Sequence, residues 1–140
     1  MEDLIGAKAE RVYKADVLFN AIEEITGISK EAIISKNRTQ DIALARNIAG
    51  YMLYIDIGMT TTDVAKILKR DHSTVVYYGR TFNTNYNYWK EYRNTYDGVA
   101  QHFWSEFINN ENENEEVDLR IKSLESLIEK LKQRNQLINN

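Results

Sequence analysis

Asp71-His72-Ser73-Thr74 is a run of four short polar side chains, followed directly by the apolar Val75. Placed where a helix begins, such a run supplies acceptors, donors and small hydroxyls at the height where a helix meets DNA base edges. The chemistry it points to is base reading. The same residues have plainer uses. Asp71 can cap the following helix through the backbone N–H of Ser73 or Thr74, which is compatible with a base contact. Taken alone, His72 is an ordinary surface histidine.

The elements that must position this run are readable on either side of it. Upstream, Thr60-Thr61-Thr62-Asp63 can cap a short helix through Val64, Ala65, Ile67 and Leu68, and Lys69-Arg70-Asp71 then makes a turn. Downstream, Val75, Tyr78, Gly79 and Phe82 recur at i, i+3, i+4 and i+7, one apolar face of a second helix. Two helices joined by a tight polar turn form the helix-turn-helix plan for entering a major groove.

Three further helices are expected before this pair. The first covers about Gly6 to Ile25, with Ala15, Leu18, Phe19, Ile22 and Ile25 along one face and Gly27 at its C′ position. Ser29 is placed to N-cap a short helix through Ile33 and Ile34, which ends in the partly basic loop Ser35 to Gln40. The third helix spans Asp41 to about Ile57, with Ile42, Ala45, Ile48, Ala49, Met52 and Leu53 inward, and Gly58 stops it. After Phe82, Tyr86, Trp89, Tyr92, Tyr96, Val99, Phe103 and Phe107 fall at spacings of three and four. They predict one long aromatic helix over 83–108 that docks on the core, in preference to a platform for stacking bases.

Residues 109–116 are an acidic Asn/Glu stretch that reads as a linker or a solvated helix start. Beyond it, Val117, Ile121, Leu124, Ile128, Leu131, Asn135 and Ile138 alternate by four and three as a heptad seam, with isoleucine at two a positions and leucine at two d positions. This favours a parallel two-stranded coil, with Asn135 at a setting register and Arg120 at g reaching Glu125 at e of a partner. The competing expectation is an amphipathic helix folded back on its own domain. The expected organisation is therefore a helical DNA-binding domain over 1–108, a linker over 109–116 and a dimerisation helix over 117–138.

The absence of proline from 140 residues, with only six glycines, favours long helices, so the expected class is all-α. A net charge of −3 looks wrong for a DNA binder until it is divided along the chain. Residues 29–90 carry nine Lys or Arg against five acids, while residues 1–28 and 111–140 hold the acidic excess. No cysteine is present for a disulfide or a thiolate metal site, and no apolar run reaches the roughly 20 residues that span a bilayer. With a polar, acidic start, these features lead us to expect a cytoplasmic protein with no membrane, metal or cofactor requirement. The two histidines, His72 and His102, fall in different helices, and no nucleophile or carboxylate pair has supporting spacing, which argues against an enzyme.

In order, Ser35-Lys36-Asn37-Arg38-Thr39, Ala45-Arg46-Asn47-Ile48-Ala49 and Arg70-Asp71-His72-Ser73-Thr74-Val75 support a family resemblance. The stretch from Ile28 to Phe82 resembles the C-terminal DNA-binding domain of the bacterial replication initiator DnaA, within the Trp-repressor-like helix-turn-helix group. The resemblance implies a recognition helix in the major groove and a basic loop in the adjacent minor groove. On matching positions, Asp71 would accept from cytosine N4, and His72, Ser73 and Thr74 would meet base edges, thymine methyls and nearby phosphate. Arg38 would be the minor-groove arginine. Lys36, Thr39, Arg46, Asn47, Lys69, Arg70, Tyr77 and Arg80 would hold the phosphate backbone.

No G-x-x-x-x-G-K-[ST] stretch occurs, so the expectation is a stand-alone reading module without the ATPase motor. The function that follows is sequence-specific binding of double-stranded DNA, as a homodimer, in replication control or transcription regulation, in a bacterium, a phage or another mobile element. An interaction module that engages the replication initiator or another partner through the C-terminal helix is the rival.

Overall fold

The computed structural model describes the backbone of residues 2–139 and the side chains of residues 6, 8–107 and 118–135. Every regular element among them is helical: α1 (Glu2–Thr26), α2 (Lys30–Ile34), α3 (Gln40–Tyr51) continued by a π-helical turn (Met52–Asp56), α4 (Thr61–Leu68), α5 (His72–Arg80), α6 (Phe82–Tyr88) and α7 (Lys90–Asn139). The chain forms two compact units, Met1–Phe103 and Trp104–Asn140.

The first unit is built around α3. Helices α1, α2, α4 and α5 all pack against it, and α5 also packs on α4. Of the apolar face expected of α1, Ala15, Leu18, Phe19 and Ile22 are buried, joined by Val17 and Ala21, whereas Ile25, expected inward, is 45% exposed at the helix end. Gly27 closes α1 with φ 75, a conformation that costs glycine nothing, and its N–H donates to the Glu23 carbonyl. Ser29 caps α2 as its position suggests, its Oγ accepting from the Ala32 N–H at 3.2 Å. The helix expected from Asp41 to Ile57 is present but changes pitch. From Met52 it widens into a π turn in which Ile57 N–H donates to the Met52 carbonyl, while Met52 and Leu53 stay fully buried.

Helices α4 and α5 form the expected pair. Thr60 caps α4 through a 3.2 Å bond from the Asp63 N–H, and Lys69 ends it in the left-handed region at φ 54. Val64, Leu68, Val75 and Tyr78 face the core. An α3 glycine makes that packing close. A Cβ at Gly50 would lie 2.2 Å from Cδ2 of Tyr78, so only a bare backbone lets the tyrosine ring lie there.

The single aromatic helix expected over 83–108 is instead two elements. Thr81 (φ −92, ψ 0) separates α5 from α6, and Trp89 leaves helical geometry at φ −118, ψ 98 before α7 starts. The break lets both segments place rings on one cluster. Tyr51 stacks on Phe82 with centroids 3.9 Å apart, and Tyr96 meets Phe82 edge-on at 4.8 Å. Tyr92, Val99 and Phe103 are fully buried, so this part of the stripe is core, while Tyr86, Trp89, Tyr96 and Phe107 are half-buried. Tyr96 also donates to Asp56 Oδ2 at 2.9 Å, tying α7 to the π turn, and burial pushes the Asp56 carboxyl above the usual range.

In the second unit the helical backbone is continuous, and α7 runs unbroken through 109–116. Of the heptad positions, Ile121, Leu124, Ile128 and Leu131 are 48 to 59% exposed, and Asn135 is exposed too. The side chains of Val117 and Ile138 lie outside the described residues.

Candidate nucleic-acid interface

Asp71 precedes α5 in extended conformation (φ −72, ψ 152), and its main-chain carbonyl accepts from the N–H groups of Thr74 and Val75. Its carboxylate makes no capping bond and is exposed, which leaves it open to an outside donor. Of the two uses open to Asp71, capping is therefore the one not taken up. Ser73 is exposed beside it, and Thr74 is half-buried.

His72 is exposed but engaged. Thr62 Oγ1 lies 2.7 Å from its Nε2 and Thr61 Oγ1 lies 3.2 Å from its Nδ1, so the imidazole leans on the first turn of α4. Thr61 and Thr62 were legible only as part of a capping stretch. Once Thr60 takes the cap, their hydroxyls are the first polar groups that a side chain at the start of α5 meets.

The basic loop is ordered by its own short polar residues. Asn37 N–H donates to Ser35 Oγ, and Thr39 N–H donates to Asn37 Oδ1 at 2.8 Å. Thr39 then starts α3 with its hydroxyl making no capping bond. Arg46 rises beneath this loop from α3. It is only 5% exposed, and it spends Nε on the Ile33 carbonyl (2.7 Å) and one Nη on the carbonyls of Ser35 (2.9 Å) and Asn37 (2.8 Å). Three of its five N–H donors are thus committed to backbone carbonyls, and the guanidinium holds the loop in shape. Burial first, and then the like charges of Arg70 and Arg38, pull the Arg46 pKa below the ordinary guanidinium value.

Arg70, in the helix-turn-helix turn, donates to the same Ser35 carbonyl that Arg46 uses, and also to the Lys69 carbonyl at 3.0 Å. One carbonyl oxygen thus joins α3, the basic loop and the turn before α5. Lys36, Arg38, Arg46 and Arg70 line a cleft of about 400 Å³. Among the described residues none of the four pairs with a carboxylate, while Lys36 and Arg38 stay exposed. Four cations without a counter-ion make this cleft a place where an anion is favoured.

The other expected contacts are spread around this centre. Lys69, Tyr77 and Arg80 are exposed. Asn47 is half-buried, and its Oδ1 lies inside without a hydrogen-bond partner. No helix among the described residues is long and apolar enough to cross a membrane.

Comparison with known proteins gives one consistent result. Residues 15–81 match the family described as the bacterial dnaA protein helix-turn-helix. The chain is 45% identical over 58 residues to the chromosomal replication initiator protein DnaA of Pseudothermotoga lettingae, covering 41% of this chain and 13% of that protein. It is 30% identical over 78 residues to the protein of the same name from Chloroflexus aggregans (55% and 16%), and 32% identical over 68 residues to that of Kosmotoga olearia (49% and 15%). The chain therefore spans well under a fifth of the length of these relatives.

Proposed function

We propose that this chain, whose residues 15–81 carry a helix-turn-helix of the bacterial DnaA type, binds double-stranded DNA in a sequence-specific way. Helix α5 enters the major groove, where Asp71, His72, Ser73 and Thr74 meet base edges, and Arg38 reaches the adjacent minor groove. Lys36, Thr39, Lys69, Arg70, Tyr77, Arg80 and the amide of Asn47 serve phosphate, while Arg46 supports the loop from below. The observation that carries this reading is the shared Ser35 carbonyl, because it ties the groove-entering turn and the basic loop together above an unneutralised cationic cleft. The relatives are chromosomal replication initiator proteins, which favours a role in replication control, with transcription regulation as the alternative use of the same contact.

Dimerisation completes the proposal. Ile121, Leu124, Ile128 and Leu131 present an exposed apolar stripe that a second copy would cover in a parallel coil. Two linked half-sites then supply affinity that one sparsely basic domain lacks. The test is fluorescence anisotropy on duplexes enriched from a random pool, across a salt series. Binding should fall steeply with salt and be largely lost in a His72→Ala, Thr74→Ala double variant. Undiminished binding by that variant would sink the recognition-helix assignment.

The same exposed stripe supports a second reading, a module that engages the replication initiator or another protein partner. It gains if the protein shows no duplex affinity at low salt while residues 117–138 retain a bound partner.

A further inference from the structure

We infer that Val76 reads a thymine in the bound site, a specificity contact that rests on the DNA-binding reading above and adds to its polar edge. On α5, Val75 and Tyr78 are buried, whereas His72, Ser73, Val76, Tyr77 and Arg80 are exposed. Those five positions share the side of α5 turned away from the core. Val76 stands in the middle of it, 41% exposed, with Ser73 one turn before and Arg80 one turn after. It contributes little to the core, yet it places a branched apolar group between hydrogen-bonding side chains on the reading face.

The major groove offers one apolar group that such a side chain can match, the C5-methyl of thymine. Val76 lies one helical turn, about 4.5 Å, beyond Ser73 on the same exposed face, so it meets a different part of the groove from Ser73. Opposite cytosine or adenine, the valine would cover an exocyclic amine without accepting its hydrogen, which disfavours those bases. The contact therefore selects both by covering a methyl and by refusing an amine.

Replacing thymine by deoxyuridine removes only the methyl and leaves every hydrogen-bonding group, so it isolates this contact. In duplexes enriched from a random pool by the 140-residue chain, each thymine is replaced singly and affinity is read by fluorescence anisotropy. At one position the wild-type protein should bind the deoxyuridine duplex about fourfold more weakly, the expected worth of one covered methyl group. Val76→Ala, which keeps a strong helix former on an exposed face, should bind both duplexes equally. Ser73→Ala should bind more weakly overall but keep the fourfold preference. If Val76→Ala abolishes the preference at none of the thymines, or the wild type shows a preference at none, the Val76 assignment falls and DNA binding stands. Failure of the wild type to bind any duplex at low salt overturns the DNA-binding reading itself, and Val76 with it.

Discussion

Arg38 and Arg46 show how two arginines eight positions apart divide one task. Both sit in the polar stretches that carry the family resemblance, and sequence alone gives both a place on DNA. Folding turns Arg46 inward, where three backbone carbonyls accept from it, while Arg38 stays exposed on the loop. The two should therefore fail differently. Arg46→Ala takes the donor from the buried Ile33 carbonyl and from the part-buried Asn37 carbonyl, and should lower stability by about 2 kcal/mol, seen as a lower melting temperature. Arg38→Ala should melt like the wild type, but on DNA its plot of log affinity against log salt should be shallower by about one unit. If Arg46→Ala melts normally, the loop-supporting role is wrong. His72 illustrates the same gap between type and placement, because its partners Thr61 and Thr62 come from another helix.

Among the elements, the π turn and α7 depend most on long-range contacts. Sequence periodicity located the helices from α1 to α5 because each apolar face is a local pattern. It could not locate the change of pitch at Met52 or the break at Trp89, which position Tyr51, Phe82, Tyr92 and Tyr96 around one ring cluster. Asp56 closes that cluster by accepting from Tyr96, and burial holds its carboxyl above the usual carboxylate pKa. The folded protein thus keeps the Asp56 proton to higher pH than the unfolded chain does. Stability from this group is full in acid and is lost as pH rises through the raised value. Asp56→Asn keeps an acceptor for Tyr96 but carries no charge. Its melting temperature relative to wild type should rise as pH moves from the carboxylate range toward neutrality, and a constant difference would show that the Asp56 carboxyl is not raised by burial.

At the scale of the whole molecule, the chain joins a well-packed unit to a helix whose apolar stripe is exposed. Four half-exposed aliphatic side chains at heptad spacing suit a partner helix better than water. Sedimentation of the full chain should give a dimer, and a version ending near Asn110 should give a monomer that binds paired half-sites more weakly than the dimer does. A monomeric full chain at high concentration would remove the coil from the proposal.

By itself, the sequence determined the helical class, the helix-turn-helix pair, the basic loop and the polar edge at Asp71. All four follow from local signals: periodicity, capping residues, turn residues and short polar runs. Only the tertiary structure decided that Arg46 supports the loop, that Arg70 shares the Ser35 carbonyl with it, and that His72 leans on α4. It also decided that Val76 faces outward where Val75 does not. The reason is physical: a donor's partner and a side chain's exposure depend on which remote backbone arrives beside it, and adjacent residues on one helix can meet opposite surroundings.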